Sequence, residues 1–253
     1  MSRIDHQGGV QNGSQSGSQG APPGVSQSDA PGSKPGGDRM DLTGRHHTIS
    51  KLRADFTIIA GMVQPGAWVL DLGCGDGALL KFLQGARGVK GYGVEIDDAN
   101  VRAALEAGIN VLQSNLERGL RSFGDATFDV VILSQTLQAM HNIEGLMREI
   151  TRVGKEAIVS FPNLRYAPNF KQLEAGRMPV SGTLPYQWHD TPNVHLCTLL
   201  DFEDLCEEIG LVVAERIALT NGKAVTDTPN INGELAIYRV KKRNDALARL
   251  PAE

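Results

Sequence analysis

The chain has 253 residues, a 41 % apolar content, three cysteines and a formal net charge of -4. The apolar share supports one large domain with a proper core, while the acidic balance argues against bulk attraction to nucleic acid or anionic lipid. No apolar run approaches the roughly 20 residues of a membrane helix, no secretory leader opens the chain, and Cys74, Cys197 and Cys206 lack the spacing of a zinc site or disulfide framework, so a cytoplasmic protein with reduced thiols and no metal is expected.

Residues 1–44 are dominated by Gly, Ser, Gln, Pro and Asp, with little to bury, and read as a disordered tail. The folded domain is expected over residues 45–243, with a flexible end at 244–253. Near Lys51 the residues Leu52, Phe56, Ile59, Met62 and Val63 fall at helical spacing, and Pro65-Gly66 ends that helix. Trp68 to Leu72 is an apolar run too short for an ordinary helix and reads as a buried strand. Gly73, Gly75 and Gly77 follow at once, which demands a tight bend, and Ala78 to Leu83 then starts a helix.

By spacing alone, Gly73, Gly75 and Ala78 satisfy a dinucleotide-binding fingerprint, with Glu95 about where a ribose-binding acid belongs. Asp71 opposes that reading, because a carboxylate at the strand end would repel a pyrophosphate. A ligand with an ammonium and a sulfonium would be attracted instead, which describes S-adenosylmethionine.

Downstream, Val89 to Ile96 reads as a second strand, Asp98 to Ala107 as a helix stopped by Gly108, and Ile109 to Gln113 as a third strand. Phe128 to Ser134 suits a central parallel strand buried on both faces. Asn142 to Val153 is an amphipathic helix and Lys155 to Phe161 a fifth strand, closed by Pro162. Residues 163–198 lose periodicity and are rich in Pro, Tyr, Trp, His and Asn, an unusual length for a structureless loop. Asp201 to Glu208 is a helix ended by Gly210, and Leu211 to Leu219 with Leu235 to Val240 would form a hairpin. Lys241-Lys242-Arg243 reads as a solvated end. Alternating β and α units predict an α/β fold, a doubly wound and mostly parallel sheet with its ligand beyond the carboxyl ends of the strands.

With these elements in hand, the region from about Lys51 to Val240 resembles the class I S-adenosylmethionine-dependent methyltransferases. Within that class, the segments Val69 to Gly77, Gly93 to Ile96, Phe128 to Gln138 and Thr191 to His195 resemble the methionine-biosynthesis family MetW. The Ser134-Gln135-Thr136-Leu137-Gln138 run is the more specific signature, since the glycine loop is shared by the whole class. The resemblance implies a Rossmann-like sheet of seven strands with a C-terminal antiparallel strand. It also implies a role in methionine synthesis with homoserine O-acyltransferase as partner, and S-adenosyl-L-methionine or S-adenosyl-L-homocysteine as ligand.

Carried over by residue, Asp71, Gly73, Gly75 and Gly77 would line the methionine portion of the ligand, and Glu95 would accept from both ribose hydroxyls. Asn115 falls where the class often places an acid for the adenine amino group, and also reads as a simple turn residue. Leu116 would pack on the adenine face or serve as an ordinary loop contact. Cys74, Ile96 and Ser134 complete the candidate cofactor contacts, with Cys74 more simply a small hydrophobe.

The nucleic-acid-methylating motifs of the class are absent. His141 and His195 are the candidate bases, each with a surface role as the plain alternative. Tyr186, Trp188, His189 and Asp190 share the long loop, a set suited to closing over the pocket, to a partner surface or to packing. Two readings follow: an S-adenosylmethionine-binding accessory protein that acts with or regulates the acyltransferase, and a methyltransferase acting on a small molecule.

Overall fold

A computed structural model describes residues 49–243, with side chains from residue 54 onward. The expected tail over residues 1–44 and the expected flexible end at 244–253 lie outside the described residues. In chain order the elements are α1 (Ile49–Met62), β1 (Trp68–Leu72), α2 (Ala78–Arg87), β2 (Lys90–Glu95), α3 (Asp98–Glu106), β3 (Val111–Gln113), β4 (Phe128–Ser134), α4 (Ile143–Val153), β5 (Gly154–Pro162), α5 (Ala167–Glu174), α6 (Leu199–Glu208), β6 (Leu211–Thr220), β7 (Lys223–Val225), α7 (Pro229–Asn232) and β8 (Leu235–Lys242). The periodicities locate each long element to within a few residues. α5 is the exception, a short helix inside the segment read as structureless.

The strands form one sheet in the order β3-β2-β1-β4-β5-β8-β6-β7. β1 to β5 are parallel, and β8 is antiparallel to both β5 and β6. The expected late hairpin is therefore present as β6 and β8. An eighth strand, β7, pairs antiparallel with the end of β6; at 3 residues it is too short to show a pattern in the sequence. β1 sits where the strand order reverses, with β2 on one side and β4 on the other, the place where open α/β sheets bind ligands.

The two faces of the sheet carry separate cores because successive strand residues point oppositely. Leu70, Leu72, Val131 and Leu133 pack with α4 and α6 residues such as Met147, Ile150 and Phe202. Val69, Val130, Ile132 and Ile158 pack on the other face with Ile59, Val63, Leu80 and Leu83 from α1 and α2. By the same alternation Asp71, Ser134 and Ser160 belong to the α1 face, one step beyond its apolar layer. Phe161, Phe202 and Tyr238 cluster on the opposite side, with ring centroids 4.8–5.8 Å apart.

Candidate functional site

β1 ends in a bend made by its own backbone. Gly73 and Cys74 both donate to the carbonyl of Val94 in β2, at 2.8 and 3.1 Å, and Gly77 donates back to Cys74 at 3.0 Å. Gly73 has φ 69 and Gly75 φ 56, both in the left-handed region that favours glycine. The two glycines serve different needs. A Cβ on Gly73 would stand 2.5 Å from Thr136 Oγ1, so β4's exit covers it, whereas a Cβ on Gly75 would meet nothing within 4 Å. Gly75 therefore presents bare backbone to open space. Gly77, also left-handed, starts α2.

Two carboxylates flank the bend. Glu95, almost buried at the end of β2, accepts N–H bonds on both oxygens: Oε1 from Ile96 and Asp97 at 2.8 and 2.9 Å, and Oε2 from Gly75 at 2.8 Å. Asp71 is 2 % exposed and its Oδ2 has no hydrogen-bond partner among the described residues. Burial, reinforced by the charge of Glu95, pushes the Asp71 carboxyl from 3.8 up to about 7. Buried polar atoms are nearly always paired, which makes the Asp71 oxygen an exception.

The Cys74 thiol packs against Gly93 of β2. A Cβ on Gly93 would overlap its Sγ, so the thiol fills the space that Gly93 leaves open. Burial together with Asp71 and Glu95 pushes the thiol up to about 12, which leaves it inert as a nucleophile.

The remaining candidates are distributed around the strand ends. Ile96 leaves β2 with 59 % of its surface exposed, while Leu116 is nearly buried. Asn115 caps the short helical turn Leu116–Arg118, its side chain accepting from Glu117 N at 2.9 Å. Ser134 Oγ lies 3.2 Å from Ser160 Oγ. A pocket of about 510 Å³ opens beyond Leu116, between Arg118, Arg121, Met140 and the first turns of α4. Its lining includes neither Asp71 nor Glu95, nor any residue of the glycine turn.

The histidines are less well placed. The His141 side chain is 76 % exposed with Nδ1 3.4 Å from Glu117 Oε1, and its backbone N–H donates to the same oxygen at 2.7 Å. His195 is exposed, but its backbone is fixed: the carbonyl of Gln138 accepts from Val194 N at 2.8 Å and from His195 N at 3.0 Å. That joins two of the segments that carried the family resemblance. Trp188 is 73 % exposed and packs edge-on to His189 at 5.5 Å, so it is no part of the core.

Two further polar residues emerge only in three dimensions. Asp55 on α1 is 2 % exposed; Phe56 N donates to its Oδ1 at 2.9 Å and Gln135 Nε2 to its Oδ2 at 3.3 Å. Asp55 stands three residues after Leu52 and four before Ile59, on the helix face that the apolar spacing assigns to the core, and that position was its sequence signal. Asn163, fully buried at the end of β5, donates through Nδ2 to the carbonyls of Asn230 and Gly233, both at 2.8 Å, and accepts from Arg165 N at 3.1 Å.

Comparison with known proteins agrees with this architecture. The family model described as "Methionine biosynthesis protein MetW" matches residues 53–240. A bifunctional methionine biosynthesis protein MetXA/MetW from Rhodopirellula baltica is 34 % identical over 207 residues, 76 % of this chain. The chain spans about a third (33 %) of that relative's length.

Among solved structures, the PH0226 protein of Pyrococcus horikoshii superposes with a TM-score of 0.60 at 18 % identity, over 78 % of this chain and 92 % of its own. A chain from the complex of the Haloferax volcanii Trm112 methyltransferase activator with its putative methyltransferase gives 0.59 at 15 %, over 80 and 95 %. The magnesium protoporphyrin IX methyltransferase of Synechocystis, solved with S-adenosylhomocysteine bound, gives 0.55 at 17 %, over 82 and 90 %. These likenesses establish the fold of the S-adenosylmethionine-dependent methyltransferases.

Proposed function

The chain belongs to the MetW family of methionine biosynthesis proteins, and from that premise we propose that it binds S-adenosylmethionine or S-adenosylhomocysteine and, in that capacity, acts with or regulates a homoserine O-acyltransferase. The observation that carries the ligand half is Asp71, buried at the end of β1 with Oδ2 unpartnered beside the open backbone of Gly75. A cationic ammonium would supply both the donor and the charge that this oxygen lacks. Glu95 spends three of its roughly four acceptor directions on Gly75, Ile96 and Asp97, and keeps about one, on Oε2, for a ribose hydroxyl. The exposed side chain of Ile96 would be covered by the adenine, with Leu116 beneath it and Asn115 offering a neutral acceptor. Gly73, Gly77, Cys74 and Ser134 contribute the surrounding backbone and wall.

The partner half is supported by the relative that carries MetXA and MetW in one chain. Two activities fused in one lineage are often associated in another. The geometry does not favour the methyltransferase alternative through either histidine, since His141 is a solvated partner of Glu117 and His195 contacts β4's exit through its backbone.

Calorimetric titration of the full chain with both ligands tests the first half, and binding that is lost in Glu95→Ala is expected. Co-purification with homoserine O-acyltransferase, followed by assay of that enzyme with and without the chain, tests the second. Absence of a complex together with unchanged acyltransferase activity would overturn the partner reading.

A further inference from the structure

α1 carries a carboxylate that its packing role does not explain. Asp55 is buried on the helix whose Ile59, Met62 and Val63 enter the core. Burying an ionised carboxylate without a cation is costly, and its described partners are neutral. Among the described residues, none of the ion pairs reaches Asp55, Asp71 or Glu95. Burial pushes the Asp55 carboxyl up to about 6.

Its position follows from Gln135. That residue has φ 50, a strained value for a side chain larger than glycine's, and it is held there from several directions. Its N–H donates to Ser160 O at 2.9 Å and lies 3.1 Å from Ser160 Oγ, and its carbonyl accepts Gln138 Nε2 at 2.8 Å. So fixed, the Gln135 amide meets Asp55, while the next residue, Thr136, closes over Gly73. Asp55 is thus linked through Gln135 to the segment whose Thr136 covers Gly73, and it lies on the sheet face to which Asp71 belongs. Asp71, whose Oδ2 has no hydrogen-bond partner among the described residues, lies at the same end of the sheet.

Resting on the ligand reading above, we propose that Asp55 makes the site read its ligand's charge, favouring the sulfonium of S-adenosylmethionine over the neutral thioether of its demethylated product. A carboxylate in a poorly solvated wall attracts a cation far more strongly than one in water does, and it gives a neutral thioether nothing. The consequence is regulatory. The effector carried to the acyltransferase would be the intact methyl donor, so the protein reports the supply of methylating power and ignores its spent form.

The test is calorimetric titration of the full chain with S-adenosylmethionine, S-adenosylhomocysteine and sinefungin, an analogue with an amine in place of the methylsulfonium. Wild type is expected to bind both cations at least about fivefold more tightly than the thioether. Asp55→Asn, which keeps the shape and an acceptor oxygen, should lose that preference by weakening the cations, with thioether affinity within about twofold of wild type. Asp55→Glu should retain it.

An unchanged cation preference in Asp55→Asn, or equal wild-type affinity for all three, would overturn the proposal. Equal weakening of all three in Asp55→Asn would assign Asp55 a structural role and overturn it as well. Binding of none by wild type would remove the ligand reading itself, an outcome distinct from a failure of charge selection alone.

Discussion

Glu95 Oε2 accepts the backbone N–H of Gly75 at 2.8 Å, so the acid that ends β2 holds the turn that leaves β1. The same carboxylate also takes the N–H groups of Ile96 and Asp97. Glu95→Ala would leave all three N–H groups without that acceptor and is expected to cost at least about 1.5 kcal/mol of stability, since hydrogen bonds to charged groups contribute that much each. Glu95→Gln keeps one acceptor oxygen and should fold better than the alanine variant, yet bind S-adenosylmethionine more weakly than wild type by over about tenfold. Urea unfolding and calorimetric titration, run on both variants, separate the two effects.

Gly73 and Gly75 should respond differently to the same added methyl group. Both need a left-handed backbone, which costs a residue with a Cβ about 1–2 kcal/mol. At Gly73 the methyl also meets Thr136, whereas at Gly75 it enters open space. Gly73→Ala is expected to unfold at clearly lower urea than Gly75→Ala. Gly75→Ala should remain folded and lose ligand, because the methyl occupies the face offered to it. A Gly75→Ala variant that binds as wild type does would place the ligand elsewhere.

Asp71 makes the stability of the ligand-free protein depend on pH. Its folded carboxyl sits at about 7 against 3.8 for the ordinary group, so the folded state holds its proton more tightly. The stability that this proton confers is full below 3.8 and is lost as pH rises through about 7. Asp71→Asn should therefore raise the thermal midpoint of the free protein, by an amount that grows between those two pH values and then levels off. The same variant should weaken ligand binding. For the wild type, S-adenosylmethionine binding at pH 7 should release a proton, detectable as a dependence of the calorimetric heat on buffer ionisation enthalpy. A heat independent of buffer would contradict the assignment.

Asn163 ties the start of the long connecting segment to the turn before β8. Asn163→Ala would strand the buried carbonyl of Gly233, at a cost of roughly 1–3 kcal/mol, and release the half-buried carbonyl of Asn230. Hydrogen exchange should accelerate over residues 229–234 more than over β1 or β4. Uniform acceleration would mean that Asn163 supports the whole domain and not this junction.

Much of the architecture was legible because it rests on periodicity and punctuation. The run Phe128 to Ser134, the glycines after Leu72 and the amphipathic stretch before Val153 each announce their element, and together they place Asp71 and Glu95 at the sheet's carboxyl edge. Elements whose cause is tertiary were not legible. α5 buries Asn169 and follows no apolar stripe, and β7 exists because β6 offers it an edge.

The same division holds at the site. The glycine turn and its acids can be read locally, whereas Asp55 and Gln135 are 80 residues apart and meet only after α1 docks on the sheet. The histidines are marked as chemical by residue type, whereas their setting, an exposed side chain at His141 and a backbone hydrogen bond at His195, is decided by the fold.

Cys74 and Gly93 form a matched pair in volume, the thiol resting where the glycine has no side chain. Neither position is then free to vary by itself. An alanine at 93 is expected to be tolerated only where 74 has already shrunk to alanine or glycine, so the order of the two changes decides whether a lineage passes through a folded intermediate. Natural variation in this turn would then show small residues exchanging places across two strands, a signature of fit that would persist whatever the protein came to bind.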